Sequence, residues 1–161
     1  MNQPIKATAV QEFLACHLAE VYSTMLSLPV VPLAGALPGG ANERVSGAVG
    51  FAGETVTGSL YLHVPTAFAG QMTTAMLGLP PDETPGDAEV NDVVGEVTNM
   101  IAGGLKSWLC DAGATCALSP PAIIRGTSFS IIASEGVARI QFGFASNIQQ
   151  GMLEAHIKFS L

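Results

Sequence analysis

One stretch limits the folds open to this chain more than any other. Val90, Val94, Val97, Ile101, Leu105 and Trp108 recur at steps of 4, 3, 4, 4 and 3 residues. At about 100° per residue they share one stripe of a helix running from about Ala88 to Asp111, with Gly113 to end it. A helix with one long apolar face needs an apolar layer to lie on. Strands supply that layer. Val45 to Ala52 and Thr57 to Val64 flank a short turn that begins at Gly53 and Glu54, and together they read as a β-hairpin. Leu60, Tyr61, Leu62 and Val64 make the second strand apolar on both faces, as a covered central strand requires.

The remaining elements follow the same reading. Val10, Phe13, Leu14, His17, Leu18, Val21, Met25 and Leu28 define an amphipathic helix from about Thr8 to Leu28, with Thr8 as its cap and Pro29 and Pro32 beyond its end. Pro32 to Asn42, rich in Gly, Pro and Ala, reads as a loop. Pro65 opens a further helix lined on one side by Phe68, Met72, Met76 and Leu77, and Gly78 stops it. Pro80 to Gly86 is an acidic loop. Beyond Pro120 and Pro121 come apolar runs at Ile123 to Arg125, Phe129 to Ala133, Val137 to Ala145 and Met152 to Leu161. In the last, Leu153, Ala155, Ile157, Phe159 and Leu161 alternate with Glu154, His156, Lys158 and Ser160, which predicts a half-exposed strand. The whole of residues 1–161 reads as one α+β domain: a largely antiparallel sheet with long helices packed on one face.

Charge decides which partners are open to such a domain. Only 12% of the 161 residues are charged, and 6 Lys plus Arg stand against 13 Asp plus Glu, a formal net charge of −7. No basic patch exists to bind a phosphate backbone, so nucleic acid is excluded. The mean hydropathy of +0.42 calls for a membrane test. Leu26 to Ala41 is broken by Pro29, Pro32 and Pro38, and Val97 to Leu109 contains Asn99 and Lys106, so no membrane span is expected. Three cysteines, Cys16, Cys110 and Cys116, form no CxxC and read as reduced, inert thiols; with no secretory signal apparent, a cytoplasmic location is expected. His17, His63 and His156 show no metal-ligand spacing, and His63 reads as a structural or surface histidine. Trp108 reads as core, and Met25, Met72, Met76 and Met100 as gap-fillers.

The long helix breaks local rules on its other side. Asp92, Glu96, Asn99, Gly103 and Lys106 lie within about 80° of one another on an ideal helix. Gly103 and Gly104 inside a helix cost about 1 kcal/mol each relative to Ala, and Asn99 some tenths more. Two explanations compete. A glycine beside Glu96 and Asn99 leaves a bare patch where another protein's backbone can approach; alternatively, the glycines admit tight packing within the fold and the polar residues are a solvated face, Glu96 pairing with a lysine elsewhere.

The string Asp92-Val-Val-Gly-Glu96-Val-Thr-Asn99-Met-Ile-Ala-Gly-Gly-Leu-Lys106, with Pro121 (and Pro120) some twenty residues on, resembles the signature of the CheC/CheX/FliY phosphatase family. The Asn-Met-Ile-Ala-Gly continuation, the hairpin Gly50 to Val64, Met76-Leu77-Gly78 and Ile124-Arg125-Gly126 are most similar to the CheX branch. The resemblance implies an enzyme that dephosphorylates the phosphoaspartate of a CheY-like response regulator. It makes Glu96 and Asn99 catalytic: Glu96 engages the regulator's active-site lysine, and Asn99 enters its active site and orients the attacking water. Asp92, Gly103 and Lys106 fall to partner contact. The resemblance places Mg²⁺ on the regulator, leaves this chain without a bound cofactor or metal, and implies a homodimer joined through its sheets. Only one copy of the motif is present, since Glu12 and Glu20 have Ala15 and Ser23 three residues on. A non-catalytic regulator-binding or flagellar-switch-like module on the same fold is the alternative. A small-molecule enzyme finds no support, because Gly39-Gly40 and Gly103-Gly104 match neither phosphate-loop nor dinucleotide-binding patterns.

Overall fold

The computed structural model describes residues 4–33 and 43–160. Along these, helix α1 spans Ala7–Leu26, strand β1 Val31–Leu33, β2 Arg44–Ala52, β3 Val56–Pro65, α2 Thr66–Leu77, α3 Asp87–Asp111, β4 Ala117–Leu118, β5 Ala122–Gly126, β6 Ala138–Ala145 and β7 Gln150–Phe159. All seven strands join one sheet in the order β1-β6-β7-β3-β2-β4, with β5 also on β2, and every pairing is antiparallel.

The register fixes two faces. Gly47 opposes Leu62, Leu62 opposes Leu153 and Leu153 opposes Phe142, so these four share the face that carries all three helices. Thr98 of α3 rests on Gly47. Tyr22 of α1 and Phe68 of α2 meet Phe144 of β6 at ring distances of 5.2 and 5.8 Å. The buried Tyr22 hydroxyl donates to Met72 Sδ at 3.3 Å, which gives this fully buried group a partner. The expected α+β sheet with helices on one face is therefore the observed one.

Several boundaries differ from expectation. α1 stops at Leu26, where Ser27 turns left-handed at φ +51°, because the residue before Pro29 is barred from the helical region. Thr8 lies inside the helix; Lys6 is the cap residue and makes no side-chain capping bond. Pro32 and Leu33 belong to β1, while 34–42 of the expected loop lie outside the described residues. Leu77 is exposed, whereas the rest of its stripe is buried or half-buried. Cys16 and Cys110 are exposed; Cys116 is buried, and burial pushes its thiol pKa up, which makes it inert. Trp108 is half-buried, stacked on Phe13.

The largest departure is on the face away from the helices. Phe129 to Ala133 form no strand. The segment crosses the outer sheet face instead, held by Arg44, whose guanidinium lies 3.8 Å over the Phe129 ring and donates to the Phe129 carbonyl. The Phe129 ring meets His63 edge-on. Glu154 and His156, expected on a solvated face, are 2% and 5% exposed.

A hydrogen-bonded chain compensates for that burial. His63 Nε2 donates to Glu154 Oε1 at 3.1 Å, His156 Nε2 to Oε2 at 2.7 Å and Arg139 Nε to Oε2 at 2.8 Å. On its other side, His63 Nδ1 is hydrogen-bonded to the Ser46 hydroxyl at 2.6 Å. Burial works to raise the Glu154 pKa, yet these three donors and the Arg139 charge outweigh it and hold the carboxyl down at about 2.

Candidate functional site

α3 is fixed at both ends and along its inner side. At its start, Asp87 and Glu89 complement the helix dipole, and the Gly86 N–H donates to Glu89 Oε1 at 3.1 Å. Arg125 of β5 ties this end to the sheet: Nε donates to Asn91 Oδ1 at 2.8 Å and Nη2 to the Asp87 carbonyl at 3.3 Å. The other end closes at Gly113 with φ +92°, as expected. Between them the Thr98 hydroxyl turns back to the Val94 carbonyl at 2.6 Å and sits where a Gly47 side chain would be. Val90, Val94, Val97, Ile101 and Leu105 are buried beneath.

With the inner side committed, the remaining arc of α3 faces outward. Asp92, Glu96 and Lys106 are exposed, and Asn99 and Gly103 are half-buried. The structure thus brings all five expected site residues onto one surface. Among the described residues, none of the three charges forms an ion pair. A lysine partner for Glu96 within the fold is accordingly absent there. Pro121 flanks the same surface: its Cβ and Cγ stand 3.7 Å from where a Cβ on Gly95 would lie.

The two glycines divide the two explanations between them. A Cβ on Gly103 would meet nothing within 4 Å, so this position is an open notch beside Glu96 and Asn99. A Cβ on Gly104 would fall inside the His17 ring. In the sequence neither His17, on a helix stripe, nor Arg125, at the end of an apolar run, marks itself as a support for this helix. The unexplained Gly104 was the signal for the first; no local pattern marks the second.

What this surface can do is limited by what it carries. It presents a carboxylate and an amide on a helix tied to the sheet at its start, with no nucleophile–base pair beside them among the described residues. Among the described residues no three His, Cys, Asp or Glu side chains gather as a metal site. Among them also, no helix is long and apolar enough to cross a membrane. Such a surface can hold and orient a partner group.

Known proteins share both the fold and this helix. The chain is similar to a chemotaxis protein CheX from Vibrio vulnificus, at 28% identity and a TM-score of 0.81, over 96% of this chain and 100% of that one. It is similar to a CheC-like superfamily protein from a Shewanella species, at 25% identity and a TM-score of 0.79, over 96% and 99%. It shares the fold of a Borrelia burgdorferi CheX described as a complex with CheY, BeF3 and Mg, at 23% identity and a TM-score of 0.71, over 96% and 99%. No curated protein sequence matches it. The family model for the chemotaxis phosphatase CheX matches residues 45–145, a span that contains the hairpin, all of α3, and Pro121 beside it. With that match over more than half of its length, and the same sheet with helices on one face, this chain belongs to the CheX family of chemotaxis phosphatases.

Proposed function

We propose that this chain hydrolyses the phosphoaspartate of a CheY-type response regulator, with Glu96 and Asn99 as its catalytic residues. The observation that carries this reading is the outward, unpaired Glu96–Asn99 stripe on a helix fixed to the sheet. In the reaction, a water oxygen attacks phosphorus in line as the bond to the regulator's aspartyl oxygen breaks. Inorganic phosphate and the free carboxylate are the products. Charge in this loose transition state is neutralised by the regulator's own Mg²⁺ and lysine, so the second protein need only position the water.

The Asn99 amide suits that task. Its oxygen accepts a hydrogen bond from the water and its N–H₂ donates, while neither acts as a base. Fixing the water in line converts a loose encounter into an oriented one. Glu96 pairs with the regulator's lysine. Asp92 and Lys106 contact the regulator on either side, and the Gly103 notch admits its backbone. The unit is a cytoplasmic homodimer of single-domain chains joined through their sheets. In support, Val31 and Ile124, on the outer sheet face, and Ile132, on the segment that crosses it, are 62%, 37% and 87% exposed.

The test is phosphate loss from a radiolabelled CheY-type receiver with Mg²⁺ present. Wild type accelerates it; Asn99→Ala removes the acceleration, and Glu96→Ala weakens it chiefly through binding. Equal turnover by wild type and Asn99→Ala refutes the mechanism.

A further inference from the structure

Gly104 has a cost in helix stability that the regulator contact does not explain, since it is turned toward α1 and away from the open notch. What fills its place is His17. The atoms nearest to a Cβ built on Gly104 are His17 Nε2, Cδ2 and Cε1, closer than a real side chain permits. From this slot His17 Nε2 reaches the carbonyl of Met100, the residue after Asn99, at 3.3 Å. A carbonyl only accepts, so Nε2 carries the proton and donates.

The rest of the ring is held as well. Phe13 stacks on His17 at 5.3 Å and 17°, and Trp108, one turn past Gly104 on α3, stacks in turn on Phe13 at 5.3 Å and 19°. Glu20 Oε2 stands 4.0 Å from Nδ1, and the ring is 21% exposed. Two consecutive glycines at the end of the turn from Asn99 to Gly104 lower its intrinsic helix stability. An imidazole wedged against that turn, with a donor on its carbonyl, limits how far it can bend.

We propose that His17 is a positioning residue for Asn99: seated in the gap at Gly104 and bonded to the Met100 carbonyl, it braces the turn that aims the Asn99 amide. The inference rests on the phosphatase reading for its consequence and on α1–α3 geometry alone for the brace. Aim matters because a misplacement of about 1 Å in a positioning group can lower a rate by about a hundredfold.

Two measurements on the full chain test it. Hydrogen exchange at the backbone amides of Met100 to Gly104 reads the brace without any substrate. His17→Leu should raise exchange there about fivefold, the factor for one ordinary hydrogen bond, with α2 unchanged. Unchanged exchange overturns the proposal. Turnover of the labelled receiver reads the consequence. His17→Leu should lower kcat by about tenfold to a hundredfold with KM unchanged. His17→Gln, whose amide N–H replaces Nε2–H, should restore most of it, and Gly104→Ala, which must expel the ring, should match His17→Leu. A loss expressed in KM alone, or no rescue by Gln, overturns the positioning role. If wild type gives no acceleration on the receiver, the phosphatase reading and the positioning role fall together, whereas acceleration by wild type with normal kcat in His17→Leu overturns this inference only.

Discussion

Gly103 and Gly104 are adjacent and chemically identical, yet they answer to different constraints. The notch at Gly103 is empty, so Ala fits there and removes the helix penalty of glycine. Gly103→Ala should therefore stabilise the protein by up to about 1 kcal/mol, measured by urea unfolding, whereas Gly104→Ala should destabilise it. A large residue at 103 should leave stability intact and weaken regulator binding. The spacing on α3 was enough to put Asp92, Glu96, Asn99, Gly103 and Lys106 on one surface, because the period of a helix is fixed by its own hydrogen bonds. It was not enough to tell the two glycines apart. Which one faces α1 depends on where α1 packs, and no residue within α3 encodes that.

Gly47 shows the same limit at the scale of elements. Its place in an apolar strand gives no hint that α3 lies against it, but a Cβ there would meet Thr98 Oγ1 and Cβ inside contact distance, with the Val94 carbonyl at 3.2 Å. Gly47→Ala must lift α3 from β2, and should lower stability by about 1–3 kcal/mol in urea unfolding. The helices and the last strand are legible from their own periods, and the hairpin and β6 from apolar runs of eight or more residues bounded by glycine turns. β1 and β4, with three and two residues, have none. The run Phe129 to Ala133 has the composition of a strand but no partner to pair with, and Arg44 holds it across the sheet.

Across the whole molecule, the sheet has two different interiors. One is apolar and packed under helices; the other is a polar chain of Ser46, His63, Glu154, His156 and Arg139. The alternation in β7 correctly separates these faces, but it cannot say what covers the second, since the cover is supplied from more than fifteen residues away in sequence. The polar side carries a pH dependence. The Glu154 pKa is depressed on folding from 4.5 to about 2, so its contribution is complete above the unfolded value and is lost as pH falls from about 5 toward 2. It amounts to about 3 kcal/mol. Unfolding free energies measured across that range should fall in the wild type and change less in Glu154→Gln.

The charge of the chain has a further consequence for how this protein meets others. Arg44, Arg125 and Arg139 each hold a partner within the fold, namely Phe129, the start of α3 and Glu154. Lys6, Lys106 and Lys158 are the remaining cations of an acidic chain. The chain carries a formal net charge of −7, and on α3 Lys106 is the one cation that opposes it. A lysine-bearing partner would be drawn toward this surface before any contact forms. Its association rate should fall steeply with added salt, followed by stopped-flow fluorescence, while dissociation changes little. Speed of encounter is thus a property of the charge of the whole chain as much as of the site.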